Sequence, residues 1–188
     1  MKPIEVAIAD KHKLYREGIK QLLLPVDEIE LIFGVGSSEE LLKKLKPDAP
    51  DLVLLDLDLP EMGGLETFLE IKRDIPDIKV IMMTRYEDDH LVIRLIEQGV
   101  NGFLLKNLSG EELKKAIISV HQQGYYFRGG SPEEVLDSIK SSPKPLPHIP
   151  GAKIELSETE QKVLELISEG LSDKEIGEKL TLRKRTIE

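Results

Sequence analysis

The 188-residue sequence has no cysteine and no tryptophan, and only 4% of its residues are aromatic. Without cysteine there is no disulfide frame, no thiol nucleophile and no zinc–thiolate site. No apolar run is long enough to span a bilayer, and the start, Met1-Lys2-Pro3-Ile4-Glu5, lacks an apolar signal region. A soluble cytoplasmic protein is expected. Excess positive charge is absent too: 26 basic against 35 acidic residues leave −9, which makes the chain a poor general nucleic-acid coat and leaves room only for a local basic patch. Gly and Pro are near average, so collagen-like and low-complexity chains are excluded. The apolar content, 40%, is too high for a disordered acidic protein and enough to bury a sizeable core.

What is present is alternation. Short aliphatic runs begin near Ile4, Ile29, Leu52, Lys79 and Asn101, at intervals of 25, 23, 27 and 22 residues. Each interval fits a strand, a helix and two short loops, which predicts a parallel sheet covered by helices on both faces. Leu52-Val53-Leu54-Leu55 and Val80-Ile81-Met82-Met83 are unbroken apolar runs, as central strands buried on both sides require. Ser37-Ser38-Glu39-Glu40 and Ser109-Gly110-Glu111-Glu112 read as capping boxes. Gly99 stands at a C-cap position after Leu91 to Ile96. Leu113, Ala116, Ile117 and Val120 form a helical stripe that faces the sheet. These signals predict a five-unit (βα) domain over residues 1–130, an α/β fold.

Residues 131–150 hold five of the eleven prolines and read as a semi-rigid linker, with room for a short helix from Glu133 to Lys140. Residues 151–188 then turn wholly helical. Ser157-x-x-Glu160 opens one helix, stopped by Gly170; Ser172-x-x-Glu175 opens another; a third starts around Arg183. Two helices and a stub cannot close a core, so a truncated second domain is expected.

Chemistry concentrates where strands end. In open α/β sheets, ligands collect at the carboxyl ends of strands where the strand order reverses. Asp10 ends the first predicted strand and Asp56 the third, and in a sheet of order 2-1-3-4-5 these are neighbours at the switch point. Two adjacent carboxylates favour a divalent hard cation, and a shallow cleft with few protein ligands favours Mg²⁺. Thr84 ends the fourth strand and Lys106 the fifth. A cation, a hydroxyl and an ammonium around a carboxylate make a phosphoryl-binding site. Singly, each has a plainer reading as a cap, a strand-end hydroxyl or a solvated charge; as a set they favour function. The four histidines, His12, His90, His121 and His148, show no ligand spacing and receive no role.

Five motifs in order, Ile8-Ala9-Asp10, Leu54-Leu55-Asp56-Leu57-Asp58-Leu59-Pro60, Met62-Gly63-Gly64, Met83-Thr84 and Gly102-Phe103-Leu104-Leu105-Lys106, carry a resemblance. Over residues 3–126 and 154–188 the chain resembles two-domain bacterial response regulators of the NarL/FixJ type, with a flavodoxin-like receiver and a LuxR-type helix-turn-helix output. The resemblance implies that Asp56 accepts a phosphoryl group from a histidine kinase, and that Asp10 and the main-chain carbonyl of Asp58 hold Mg²⁺ with Asp56. It implies that Thr84 and Lys106 contact the phosphoryl oxygens, and that Thr84 and Phe103 act as the switch pair. Control of homodimerisation and of promoter binding would follow, in a protein that is not a conventional enzyme beyond its own phosphorylation and dephosphorylation. In the output segment, Gly170-Leu171-Ser172-Asp173-Lys174-Glu175-Ile176 is the most specific string, and Lys174, Arg183, Lys184 and Arg185 are candidate DNA contacts. That segment carries seven basic and nine acidic residues, so bulk charge does not drive binding.

One position departs from the family. The second acid after the first strand, normally a direct metal ligand, is Lys11 here. Four readings stand side by side: weakened Mg²⁺ binding, compensation by the Asp58 carboxylate, partial replacement of the metal by the Lys11 ammonium, or a lysine that points to solvent. Phosphorylation is expected to survive. The rival functions are an atypical receiver acting through protein contacts without phosphate, and a flavodoxin-like enzyme or nucleotide binder. The second rival lacks a glycine-rich phosphate loop, since Asp10-Lys11-His12-Lys13 follows the first strand.

Overall fold

In the computed structural model the described residues are 2–45, 49–86 and 88–141, together with Lys162, Leu166 and Lys179. The chain divides into two compact units, Met1–Pro147 and His148–Glu188. In the first, strands β1 (Ile4–Ala9), β2 (Ile29–Val35), β3 (Leu52–Asp56), β4 (Lys79–Thr84) and β5 (Gly102–Leu105) alternate with helices α1 (Lys13–Leu23), α2 (Ser38–Leu45), α3 (Gly63–Asp74), α4 (Asp89–Glu97) and α5 (Gly110–Gln123), and α6 (Pro132–Ser141) follows. All neighbouring strands are parallel, in the order β2-β1-β3-β4-β5. This is the flavodoxin-like arrangement the periodicity predicts, with four of the five strand starts at the expected residue.

Burial explains why the runs were readable. Every residue of β3 is buried, as are all but the first of β4 and all but one of β1, because helices cover both faces of the central strands. The edge strands β2 and β5 are mixed. One face of the sheet packs Val6, Ile8, Leu52, Leu54, Ile81 and Met83 against Ile19 and Leu23 of α1 and Leu113, Ala116, Ile117 and Val120 of α5. The stripe read from sequence in α5 is therefore its core face.

The caps fall where the residues place them. Ser109 accepts a hydrogen bond from the Glu112 amide at 3.2 Å at the start of α5. Ser37 accepts one from the Glu40 amide at 3.3 Å before α2, while the Glu40 carboxylate reaches back to the Gly36 amide at 3.0 Å. Gly99, at φ 81°, lets the chain leave α4 with its own amide on Ile96 O and the Val100 amide on Leu95 O.

The expected short helix inside the linker is a full helix, α6, opened by a reciprocal capping box: the Ser131 amide donates to Glu134 Oε2 at 2.7 Å and the Glu134 amide to Ser131 Oγ at 3.3 Å. It packs against α4, and Val135 is buried. This stretch therefore belongs to the first unit, although proline content set it in the linker. The output helices predicted after residue 151 lie outside the described residues, apart from Lys162, Leu166 and Lys179, which are helical.

Candidate functional site

Strand register builds the site. Ala9 pairs with Leu55, so Asp10 leaves β1 beside Asp56, the last residue of β3. Thr84 ends β4 opposite Leu105, and the Lys106 amide donates to Thr84 O at 2.7 Å, which sets Lys106 one step past β5. Four strands thus end in one row at the carboxyl edge of the sheet.

The side chains meet as the register requires. Lys106 Nζ stands 2.7 Å from Asp10 Oδ2 and 2.7 Å from Asp56 Oδ1, with all three groups at most 7% exposed. These are ion pairs by distance whose angles fall outside hydrogen-bond geometry. Asp56 Oδ1 also accepts from the Asp58 amide at 3.1 Å, whereas Asp56 Oδ2 is buried with no partner among the described residues. A buried carboxylate oxygen without a donor is costly, and a cation is the ordinary remedy. Thr84 is buried, and its hydroxyl accepts from the Tyr86 amide at 3.1 Å. Phe103 is half-buried on β5, with its amide on Tyr126 O at 3.3 Å.

The glycine pair after β3 is part of the same construction. Gly64 donates to Leu57 O at 2.9 Å, and a Cβ there would lie 2.7 Å from Leu57 Cα and overlap the Asp56 carbonyl oxygen. Only glycine lets α3 start this close to the acceptor aspartate. Gly63 is needed for a different reason, its φ of 77°.

Lys11 is exposed and makes no ion pair among the described residues, so the ammonium between the carboxylates is that of Lys106. The solvent-facing reading of Lys11 is the one observed. The Asp58 carboxylate pairs with Arg85 at 3.3 Å and is not one of the three residues whose ligand atoms cluster among the described residues.

That group contains a residue the sequence gave no role. Asp10, His12 and Asp56 offer ligand atoms that all lie within 4.8 Å of one another. His12 donates its amide to Asp10 Oδ1 at 2.8 Å and brings its ring Nδ1 to 3.1 Å from the same oxygen. Spacing along the chain could not reveal it, because Asp56 arrives through the sheet; the readable signal was a histidine two residues past a strand-end aspartate. Arg16 was also missed, and its Nη1 donates to Asp10 O at 2.6 Å. A cleft of ≈ 390 Å³ lined by His12, Tyr15, Arg85, Leu105, Lys106 and Asn107 adjoins the carboxylates. Burial, with smaller contributions from the Asp10 and Asp56 charges, pushes the Tyr15 phenol up to about 12. The candidate DNA contacts Lys174, Arg183, Lys184 and Arg185 lie outside the described residues.

Residues 6–118 match the response regulator receiver domain family, and residues 155–188 match the luxR family of bacterial regulatory proteins. The chain is a response regulator. It is 32% identical to the transcriptional regulatory protein LnrK of Bacillus subtilis, over 98% of this chain and 86% of that one. It is 30% identical to the response regulator UvrY of Escherichia coli, over 98% of this chain and 83% of the other. Among solved structures, the RcsB response regulator in complex with DNA is similar at a TM-score of 0.72 and 25% identity, covering 99% of this chain and 87% of that one. The response regulator thus joins a receiver to a LuxR-type DNA-binding domain and falls among regulators of transcription. Among the described residues, no helix is long and apolar enough to cross a membrane.

Proposed function

We propose that this response regulator is switched by phosphorylation of Asp56 by a sensor histidine kinase, and that the switch sets dimerisation and promoter binding. The observation that carries the proposal is the buried triad of Asp10, Asp56 and Lys106, in which the Asp56 carboxylate keeps one oxygen without a partner. In the transfer, an Asp56 oxygen attacks phosphorus, the P–N bond to the kinase histidine breaks, and the released imidazole nitrogen takes a proton. Lys106, fixed by its amide on Thr84 O, can follow the new charge from the carboxylate to the phosphoryl oxygens. Thr84 can exchange its bond from the Tyr86 amide for one to those oxygens, freeing the β4–α4 connection, with Phe103 turning inward to fill the space left.

The resemblance implies Mg²⁺, held with the main-chain carbonyl of Asp58, and the donor set agrees with a divalent cation: two buried carboxylates, one of which has an oxygen without a partner among the described residues. When bound, such an ion neutralises charge between the carboxylates and the incoming phosphoryl group. Residues 1–130 act as the receiver, and residues 151–188 as the DNA-binding part, with Lys174, Arg183, Lys184 and Arg185 toward DNA. The RcsB–DNA complex supports DNA as the partner of the output domain.

Intact mass after incubation with acetyl phosphate and a divalent ion tests the proposal. One added phosphoryl group is expected in the wild type and none in Asp56→Asn. An adduct that persists in Asp56→Asn would place the acceptor elsewhere and overturn the assignment.

A further inference from the structure

The ammonium of Lys106 is held on its carboxylate side by charge alone. Its Nζ lies 2.7 Å from Asp10 Oδ2 and 2.7 Å from Asp56 Oδ1, yet it is buried and makes no hydrogen bond among the described residues. Charge attraction has no preferred direction, and the four-carbon stem of a lysine is flexible. The two ion pairs therefore leave the ammonium several positions around the carboxylates. Transfer adds a second demand, because the ammonium must then exchange Asp56 for the phosphoryl oxygens without leaving the cleft.

A third neighbour limits that freedom. Lys106 Nζ lies over the ring of Tyr15, 5.2 Å from its centroid, within the range in which the negative face of an aromatic ring attracts a cation. Both side chains line the cleft beside the carboxylates. Lys106 is only 7% exposed, so the contact is largely desolvated and stronger than one at the surface.

The ring is fixed from outside the site. Tyr15 belongs to the first turn of α1, its amide donates to His12 O at 3.1 Å, and its half-buried side chain packs against the core cluster that includes Ile19 one turn further on. Its hydroxyl is buried with no partner among the described residues, so it ties the ring to no polar group. The face of a ring repels negative charge, and of the charged groups here only the ammonium suits it. The ring, rather than the hydroxyl, is therefore the part of Tyr15 that serves the site.

We propose that Tyr15 is a positioning residue for phosphoryl transfer: the face of its ring keeps the Lys106 ammonium in the cleft while that group passes from the Asp56 carboxylate to the phosphoryl oxygens. The proposal rests on the phosphorylation reading of Asp56 and adds to it a residue that acts only through Lys106.

The test is the rate at which acetyl phosphate with Mg²⁺ labels the full chain, read by intact mass, beside thermal unfolding of each protein. Tyr15→Phe keeps the ring and is expected to label within about twofold of the wild type. Tyr15→Leu removes it and is expected to slow labelling about fivefold to thirtyfold, the worth of a cation–ring contact that is partly to fully desolvated. Leucine also changes the packing, so the deciding variant carries pentafluorophenylalanine in place of Tyr15, which keeps the shape of the ring and reverses the charge of its face. It is expected to unfold cooperatively and to label as slowly as Tyr15→Leu. Phe33→Leu removes a ring at the same distance from the exposed Lys44, outside the cleft, and should leave labelling unchanged. A loss in Tyr15→Phe equal to that in Tyr15→Leu moves the role to the hydroxyl and overturns the proposal. So does a fluorinated protein that labels like Tyr15→Phe, a Tyr15→Leu protein that labels like the wild type, or a Phe33→Leu protein as slow as Tyr15→Leu. Each of these results leaves the wild type labelled, and phosphorylation of Asp56 stands. A wild type that takes no label removes the phosphorylation reading itself, and the role of Tyr15 with it.

Discussion

Replacing Gly64 by alanine should damage the site without touching any of its polar groups. A Cβ at that position would lie 2.7 Å from Leu57 Cα, 3.0 Å from the Asp56 carbonyl carbon and closer still to the carbonyl oxygen. All three are backbone atoms, so no side-chain rotation relieves the overlap, and either α3 or the end of β3 must move. Forcing a methyl group into a packed contact costs about 1–3 kcal/mol. For a unit of this size that corresponds to a fall in melting temperature of roughly 3–9 °C. The same movement shifts Asp56 against Lys106, so transfer from acetyl phosphate should slow more than the stability loss explains. Gly63 supplies the control. Its φ is 77°, and a Cβ there meets nothing nearer than Leu57 O at 4.0 Å, so its substitution costs conformation rather than space. Asparagine tolerates the left-handed region better than alanine. Gly63→Asn should therefore be milder than Gly63→Ala, whereas Gly64→Asn should be no better than Gly64→Ala. Thermal unfolding by circular dichroism and intact-mass labelling measure both effects. A Gly64→Ala protein that melts within about 1 °C of wild type and labels at the same rate would refute the close-approach argument.

Lys106→Met leaves two buried carboxylates facing each other without their shared ammonium, and removing one partner of a buried ionic group costs about 3–5 kcal/mol; urea denaturation with unchanged midpoint would show that Lys106 does not hold them. Asp88 is buried and accepts the His90 and Leu91 amides at 2.9 and 3.3 Å, so Asp88→Ala should cost about 1–2 kcal/mol and Asp88→Asn much less, read by the same unfolding assay. Tyr15 is held up to about 12 in the folded chain, above the phenol's ordinary 10.0. A raised folded value means a contribution fully present below the unfolded value and lost as pH climbs through the folded one, so Tyr15 destabilises the fold progressively between about pH 10 and 12. Tyr15→Phe should remove that part of the alkaline loss and, because the buried hydroxyl has no partner, cost little at neutral pH; ultraviolet titration should lose its highest-pH tyrosinate step.

The parts of this molecule that were legible in its sequence are those fixed by backbone periodicity. Buried parallel strands read as unbroken aliphatic runs because helices cover both faces, so the starts of β1 to β4 fall at the predicted residues. Strand length then carries Asp10, Asp56, Thr84 and Lys106 to one edge without further information. Composition and local signal meet after residue 130: proline content marks residues 131–150 as a linker with room for a short helix from Glu133 to Lys140, and the Ser131–Glu134 capping box opens α6 there. Side-chain partnership was not legible, because it is decided by groups that arrive from distant strands. Lys11 adjoins Asp10 in sequence yet is exposed, whereas Lys106 reaches both carboxylates, since β5 ends beside Thr84 and aims its next residue inward. Asp58 follows Asp56 by two residues, yet its carboxylate pairs with Arg85. His12 gains its meaning only when β3 is laid beside β1, because only then does Asp56 come within reach of the turn that holds the imidazole. A substitution at the second acid therefore cannot be judged from that position alone.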